Sequence, residues 1–132
     1  MKTESKARKV TRLLRNFSVS DSERNYVAGL MDGEGHIAMR DGRSAEVHVT
    51  NMERNLVEVP DRVFDVGIIR TYKTPKGDTV YRWVVGGTEA AAVLAVLLPA
   101  MRSPKRKRVA KEIVESYLGK RSTENLWRTW IP

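Results

Sequence analysis

Three observations along the 132 residues predict a mixed α/β domain of the α+β kind, with helices alternating with antiparallel hairpins. The box Ser20, Asp21, Ser22, Glu23 stands just before the apolar positions Tyr26, Val27, Leu30 and Met31, so a capped helix starts there. Asp41-Gly42 divides two alternating segments, which is the composition of a tight hairpin turn. Residues 74–78, rich in proline and glycine, divide two more, and apolar stripes of helical period follow. A chain of this length buries about two-thirds of its unfolded surface and folds without staples.

Residues 1–19 form a basic arm in which Lys2, Lys6, Arg8, Lys9, Arg12 and Arg15 face a single acid, Glu4. Val10, Leu13, Leu14 and Phe17 recur at helical spacing, so the arm reads either as an amphipathic helix docked on the body or as a solvated tail. The domain proper spans 20–118. Its first helix stops at Gly35, and strands follow at Ile37 to Arg40 and Ala45 to Asn51. Residues 53–66 carry Leu56, Val57, Val63 and Phe64 at loose helical spacing, with Pro60 expected to start a turn or kink the helix. A second strand pair covers Gly67 to Lys73 and Thr79 to Val85, after which Thr88 can cap a helix from Glu89 to about Met101. Lys105 to Leu118 reads as a last helix, with Val109, Ile113, Val114 and Tyr117 as its apolar stripe. Residues 119–132 form a tail whose Trp127 and Trp130 are expected to pack on the body or on a partner.

Net charge is +8 with pI near 10.0, which favours a polyanionic partner. Ribosomal proteins, repressors and nucleases share that balance, so charge selects only a class. The absence of cysteine excludes a disulfide framework and any thiolate zinc site, and fits an intracellular place of action. No signal peptide is evident, and the longest apolar run, Ala90 to Leu98, is too short to span a bilayer. The expectation is a cytoplasmic protein of bacterial or phage context, or an organellar one, with no membrane partner.

The segment from Tyr26 to His36 holds the strongest functional signal. Gly29 and Gly33 lie on one face of the helix beside the small Ala28, which would let another backbone approach closely. Glycine within a helix costs about 0.5 to 1 kcal/mol relative to alanine, so two of them call for a compensating contact. The helix then ends in two acids, Asp32 and Glu34, where the macrodipole already places partial negative charge. A bound cation would offset that cost; the plainer reading is a glycine-capped helix end with two solvated acids.

Val27 to Gly35, VAGLMDGEG, resembles the LAGLIDADG motif of the homing endonucleases. Ala28, Gly29, Leu30, Asp32 and Gly35 match it identically, Val27 and Met31 are apolar replacements, Gly33 replaces a small residue, and Glu34 replaces the second aspartate. Over residues 21–118 the element order agrees with the family's αββαββα plan, a homing-endonuclease-like fold with an antiparallel DNA-binding sheet saddle. One motif copy implies a homodimer paired through the motif helices, with Ala28, Gly29, Asp32 and Gly33 at the interface and the two Glu34 carboxylates near the axis. Two close carboxylates need cations between them. The resemblance therefore implies Mg²⁺, with Mn²⁺ or Ca²⁺ able to take its place, held by Glu34 and the Gly33 carbonyl.

The implied reaction is site-specific hydrolysis of duplex DNA at a long, pseudo-palindromic site, leaving 3′ overhangs. Glu34 is the leading catalytic candidate, and the resemblance implies that Asp32, at the sixth motif position, caps or orients the helix ends. Asn51 would position the attacking water, or else serve as a strand-end turn residue. Lys105 would orient water or stabilise charge on phosphate. Strand parity turns Ile37, Met39, Val47, Val49, Tyr81, Trp83 and Val85 inward, leaving Arg40, His48, Thr50, Arg70, Tyr72 and Arg82 on the DNA-facing side. From the basic run after the fourth strand, Arg102, Arg106 and Lys107 are assigned to phosphate. Two other classes share parts of this pattern. One is a non-cutting module of the same architecture, such as a splicing maturase or DNA-binding regulator; the other is a basic RNA-binding or ribosome-associated protein.

Overall fold

The computed structural model describes residues 4–130, and of residues 127–130 the backbone only. The element order is α1 (Lys6–Asn16), α2 (Asp21–Glu34), β1 (Gly35–Arg40), β2 (Ser44–Asn51), α3 (Arg54–Phe64), β3 (Ile68–Lys73), β4 (Thr79–Gly86), α4 (Gly87–Leu97), α5 (Pro104–Leu118) and α6 (Lys120–Trp130), with a 3₁₀ turn at Leu98–Ala100. Residues 21–118 thus follow the predicted helix-hairpin alternation. The arm takes the first of its two readings, a helix, and the tail is largely helical as well. Val10 is fully buried, so α1 is a docked helix. The expected packing of Trp127 and Trp130 lies outside the described side chains.

The strands form one antiparallel sheet in the order β1-β2-β4-β3. In the first hairpin Asp41 and Gly42 both take positive φ, and the Arg43 N–H donates to the Arg40 carbonyl at 2.9 Å, as a primed turn requires. That turn fixes the register, with Ile37 opposite Val47 and His36 opposite His48. β2 and β4 pair in the centre, with Val49 opposite Trp83.

Alternation then sorts the two faces. Ala45, Val47, Val49, Trp83 and Val85 are buried under the helices, with Ile37, Met39 and Tyr81 packed at the margin of that core. Against this face lies α4, whose residues from Ala90 to Leu97 are all buried, covered on its other side by α1, α2 and α5. Burial all round explains why this helix carries no polar face.

Three local expectations change. Gly86 occupies the N-cap of α4 and makes no side-chain cap, so Thr88 lies inside the helix instead of before it. α3 runs through Pro60, which is buried against the core, so hydrophobic contact outweighs the hydrogen bond that proline removes from the Leu56 carbonyl. Gly35 ends α2 in extended backbone, without a left-handed cap. Its glycine is still required, because a Cβ there would sit 2.6 Å from the Met31 carbonyl oxygen and collide with the Met31 sulfur.

Candidate nucleic-acid interface

Among the described residues, no element covers the outer face of the sheet. It carries His36, Arg40, Glu46, His48, Thr50, Arg70, Tyr72 and Arg82, so all six strand residues assigned to DNA share one surface. Arg70 stands directly opposite Arg82 across β3 and β4. Like charges opposed in this way destabilise a sheet, which points to an anion above them. Arg82 is held in place: its Nε donates to Thr50 Oγ1 at 2.9 Å, and its guanidinium lies 4.9 Å from the centroid of the Tyr72 ring. Arg40 is partly occupied by Glu46, Nε to Oε2 at 3.3 Å. His36 and His48 stack with centroids 4.5 Å apart. Burial first, then the charges of His36 and Arg82, holds the His48 imidazole below its usual range, with Glu46 opposing.

At the edge of this face, α2 ends and β1 begins. Asp32 turns away from its own helix and accepts hydrogen bonds from the backbone N–H groups of Arg102 at 2.8 Å and Ser103 at 3.0 Å. Its charge, unfavourable at the end of α2, is favourable at the start of α5. In return, Arg106 of α5 donates from Nη1 to the Asp32 carbonyl at 2.6 Å and from Nε to the Gly35 carbonyl at 2.9 Å. The two helix ends therefore cap each other. Glu34 is left exposed beside this clamp.

Gly29 and Gly33 are exposed, and a Cβ added to either would meet nothing within 4 Å. Nothing in their own chain needs them to be glycine. Ala28 is different: it is wholly buried in the core of its own chain, so its assignment to a dimer seam is corrected. Asn25, Gly29, Asp32, Arg102 and Lys107 border a shallow hollow along the same flank of α2.

The fold has counterparts among solved structures. The homing endonuclease I-CvuI, in complex with its target in the presence of calcium, matches with a TM-score of 0.53 at 16% identity over 80% of this chain and 82% of its own. The group I intron-encoded homing endonuclease I-CeuI, complexed with DNA, matches with a TM-score of 0.52 at 16% identity over 77% of this chain and 61% of its own. The fold is that of the homing endonucleases. No protein-family model matches the chain, and no curated protein matches it in sequence.

Within this homing-endonuclease fold, the register Gly35 opposite Val49 brings Asn51 to the end of β2 that adjoins the junction of α2 and β1. Its side-chain oxygen accepts from the Glu53 N–H at 2.8 Å, so Asn51 builds the strand-end turn, the second of the two roles expected of it. Lys105 is exposed and lines a cleft with Gly35, His36, Ser103 and Arg106, on the same side as Glu34's end of the helix. Arg102 and Lys107 flank the open face of α2. Arg106 commits its Nε and Nη1 to backbone carbonyls, so in the single chain it acts as a clamp between α2 and α5.

The stacked histidines were missed as a pair. Their signal was present, because His36 and His48 lie six positions either side of Gly42 in a hairpin whose turn is centred there.

The donors at Glu34 and the Gly33 carbonyl are hard oxygens, the kind magnesium takes. Among the described residues, however, no group of three or more His, Cys, Asp or Glu side chains gathers to hold a metal. Glu34 and the Gly33 carbonyl by themselves fall short of a full donor set, and a cation there would need further oxygens, such as those of phosphate and water.

Proposed function

We propose that the protein is a homodimeric, magnesium-dependent endonuclease that binds duplex DNA on its sheet face and hydrolyses phosphodiester bonds at the Glu34 edge. One juxtaposition carries the reading: an exposed carboxylate at a helix C-terminus stands between an open Gly29-Gly33 face and a sheet on which Arg70 opposes Arg82. No need of the single chain accounts for these three together. Duplex DNA supplies the anion, a second copy fills the glycine face, and the pair of Glu34 side chains completes the donor set.

In this reading Glu34 and the Gly33 carbonyl of each copy would hold the metal, which would supply Lewis-acid charge for the scissile phosphate, the attacking water and the departing oxygen. Lys105, next to Gly35 and His36, is placed to offset charge on the phosphate. Asn51 keeps its amide N–H₂ for an ordered water while its oxygen holds the turn. Asp32 and Arg106 hold the helix end that presents Glu34. Arg82, preset by Thr50 and Tyr72, suits a guanine edge in the major groove, and Arg70, Arg40 and His48 extend the same surface. Cutting across the minor groove would leave 3′ overhangs.

The test is to incubate the pure protein with a random duplex library, with and without Mg²⁺, and to sequence bound and cleaved molecules separately. Enriched sites that are cut only with Mg²⁺ are expected, and Glu34→Gln should bind the same sites without cutting. Cutting by that pure variant sinks the metal assignment. Enrichment without cutting by the natural sequence favours instead a non-cutting regulator or maturase.

A further inference from the structure

The sheet face does not use the cations of the N-terminal helix. α1 rests on α4 and α5, and α4 in turn lies against the inner face of β2 and β4, so α4 separates α1 from the sheet. The exposed side of α1 therefore points away from the proposed DNA face. Lys6, Arg8, Arg12 and Arg15 are exposed on this helix, whose sequence holds no acid. Arg8, Arg12 and Arg15 recur at i, i+4 and i+7, one face spanning about 10 Å at 1.5 Å per residue. With Thr11 and Asn16 they line one open groove, together with Glu4.

Docking does not explain the arginines, since Val10, Leu13, Leu14 and Phe17 on the other side make the contact with the core. Three like charges along one face repel one another at a cost the helix would not carry for packing. Glu4 pairs directly with Arg12 alone, through Nη2 at 3.0 Å and Nε at 3.3 Å, and acts on Arg8 and Lys9 only through its charge; one exposed carboxylate of small energetic weight does not balance the face. Arginine forks with neighbouring hydroxyl and amide groups in an open groove suit phosphodiester oxygens, because they offer charge and directed donors without base contacts.

We infer that the outer face of α1 is a second, sequence-independent binding surface for the backbone of duplex DNA, on the side opposite the sheet. One molecule can then hold a second duplex segment while the sheet engages the first. Such a bridge raises the local concentration of DNA around the protein and assists transfer between segments. The inference rests on the sheet reading only in calling this surface the second one.

A capture assay tests it. A random-sequence duplex is fixed to beads, protein is bound and washed, and a labelled second duplex is added. The natural sequence should retain the labelled duplex. The variant Arg8→Gln/Arg12→Gln/Arg15→Gln should retain at least tenfold less, with an unchanged circular dichroism spectrum, because glutamine keeps helix propensity. Its anisotropy-measured binding to one duplex should persist with an unchanged salt slope, because the sheet face carries that binding. Undiminished capture by this variant, or no capture by the natural sequence, overturns the inference, as does capture competed by an RNA hairpin and not by unlabelled duplex. Failure of the sheet reading shows elsewhere: Arg70→Ala/Arg82→Ala would then leave single-duplex binding intact.

Discussion

Replacing Arg106 by methionine tests whether the clamp between α2 and α5 is structural. Methionine keeps most of the apolar stem and removes the guanidinium, so the change isolates two hydrogen bonds, to the Asp32 carbonyl at 2.6 Å and the Gly35 carbonyl at 2.9 Å. Hydrogen bonds involving a charged group contribute about 1.5 to 3 kcal/mol each in net terms. A cation at a helix C-terminus adds roughly 0.3 to 1 kcal/mol. Arg106 is only part-buried, so water partly replaces it, and the lower ends of both ranges apply. The expected loss is about 3 kcal/mol, a sizeable share of the roughly 5 to 15 kcal/mol that holds a domain folded.

For a chain of this size that is a fall in Tm of roughly 10 °C. Thermal and urea unfolding followed by circular dichroism measures it. Arg106→Lys, which keeps charge but loses the fork, should fall between the two. Asp32→Asn weakens the reciprocal cap on Arg102 and Ser103, and because both residues hold the same junction their effects should not add: a coupling of at least about 0.5 kcal/mol is expected in the double variant. A Tm within 2 °C of the natural sequence, combined with a DNA-binding salt slope lowered by about one unit, would refute the clamp and restore Arg106 as a phosphate contact.

Other consequences are independent of that junction. Gly29→Ala and Gly33→Ala have room in the single chain and should raise helix stability by up to about 1 kcal/mol, while sedimentation shifts from dimer toward monomer; unchanged association removes the glycine face from the interface. Arg70→Ala should relax preference at one base pair and relieve its repulsion with Arg82, whereas Lys107→Ala should weaken all sequences alike; identical sequence profiles for both would contradict this sorting of contacts. His48 binds its proton less readily in the folded state, so the unfolded chain takes up that proton first as pH falls below about 6.5. Its contribution is intact above that value and declines through the window down to the depressed folded pKa. His48→Gln should flatten Tm against pH between about 7.5 and 5, and an unaltered profile would refute the assignment.

How much of this was legible in the sequence depended on the range of the interaction. The α2 start is local: Ser20 and Glu23 satisfy each other's backbone within three residues, at 2.9 and 3.1 Å, and the structure keeps the box. The first hairpin is equally local, since Asp41 and Gly42 alone set its turn and thereby the facing of Arg40, His48 and Thr50. Pro60 and Thr88 were read by their local chemistry and overruled by burial, because α3 and α4 take their stability from the core more than from propensity. Ala28 failed for a related reason. Its small size suited either a close helix contact or the interior, and only the fold decides which side of α2 meets the core.

The acids at the end of α2 show where sequence reasoning stops and what the structure adds. Electrostatics demanded a positive group at that helix end, and a bound cation was the expectation; the first positive group there belongs to the protein, since Arg106 comes from 71 residues beyond Gly35 to bind its carbonyl. That contact was invisible in the sequence because the basic run offers Arg102, Lys105, Arg106, Lys107 and Arg108 with nothing local to choose among them. Once Arg106 and Asp32 are used, the helix end itself no longer requires a metal. Glu34 must then be judged alone. Among the described residues it is an exposed anion with no hydrogen bond or ion pair, on a helix end that disfavours it and at the rim of an arginine-bearing sheet. Asp32 answers to the fold, so the case for a divalent ion passes entirely to Glu34 and to the copy of it that a second chain would bring.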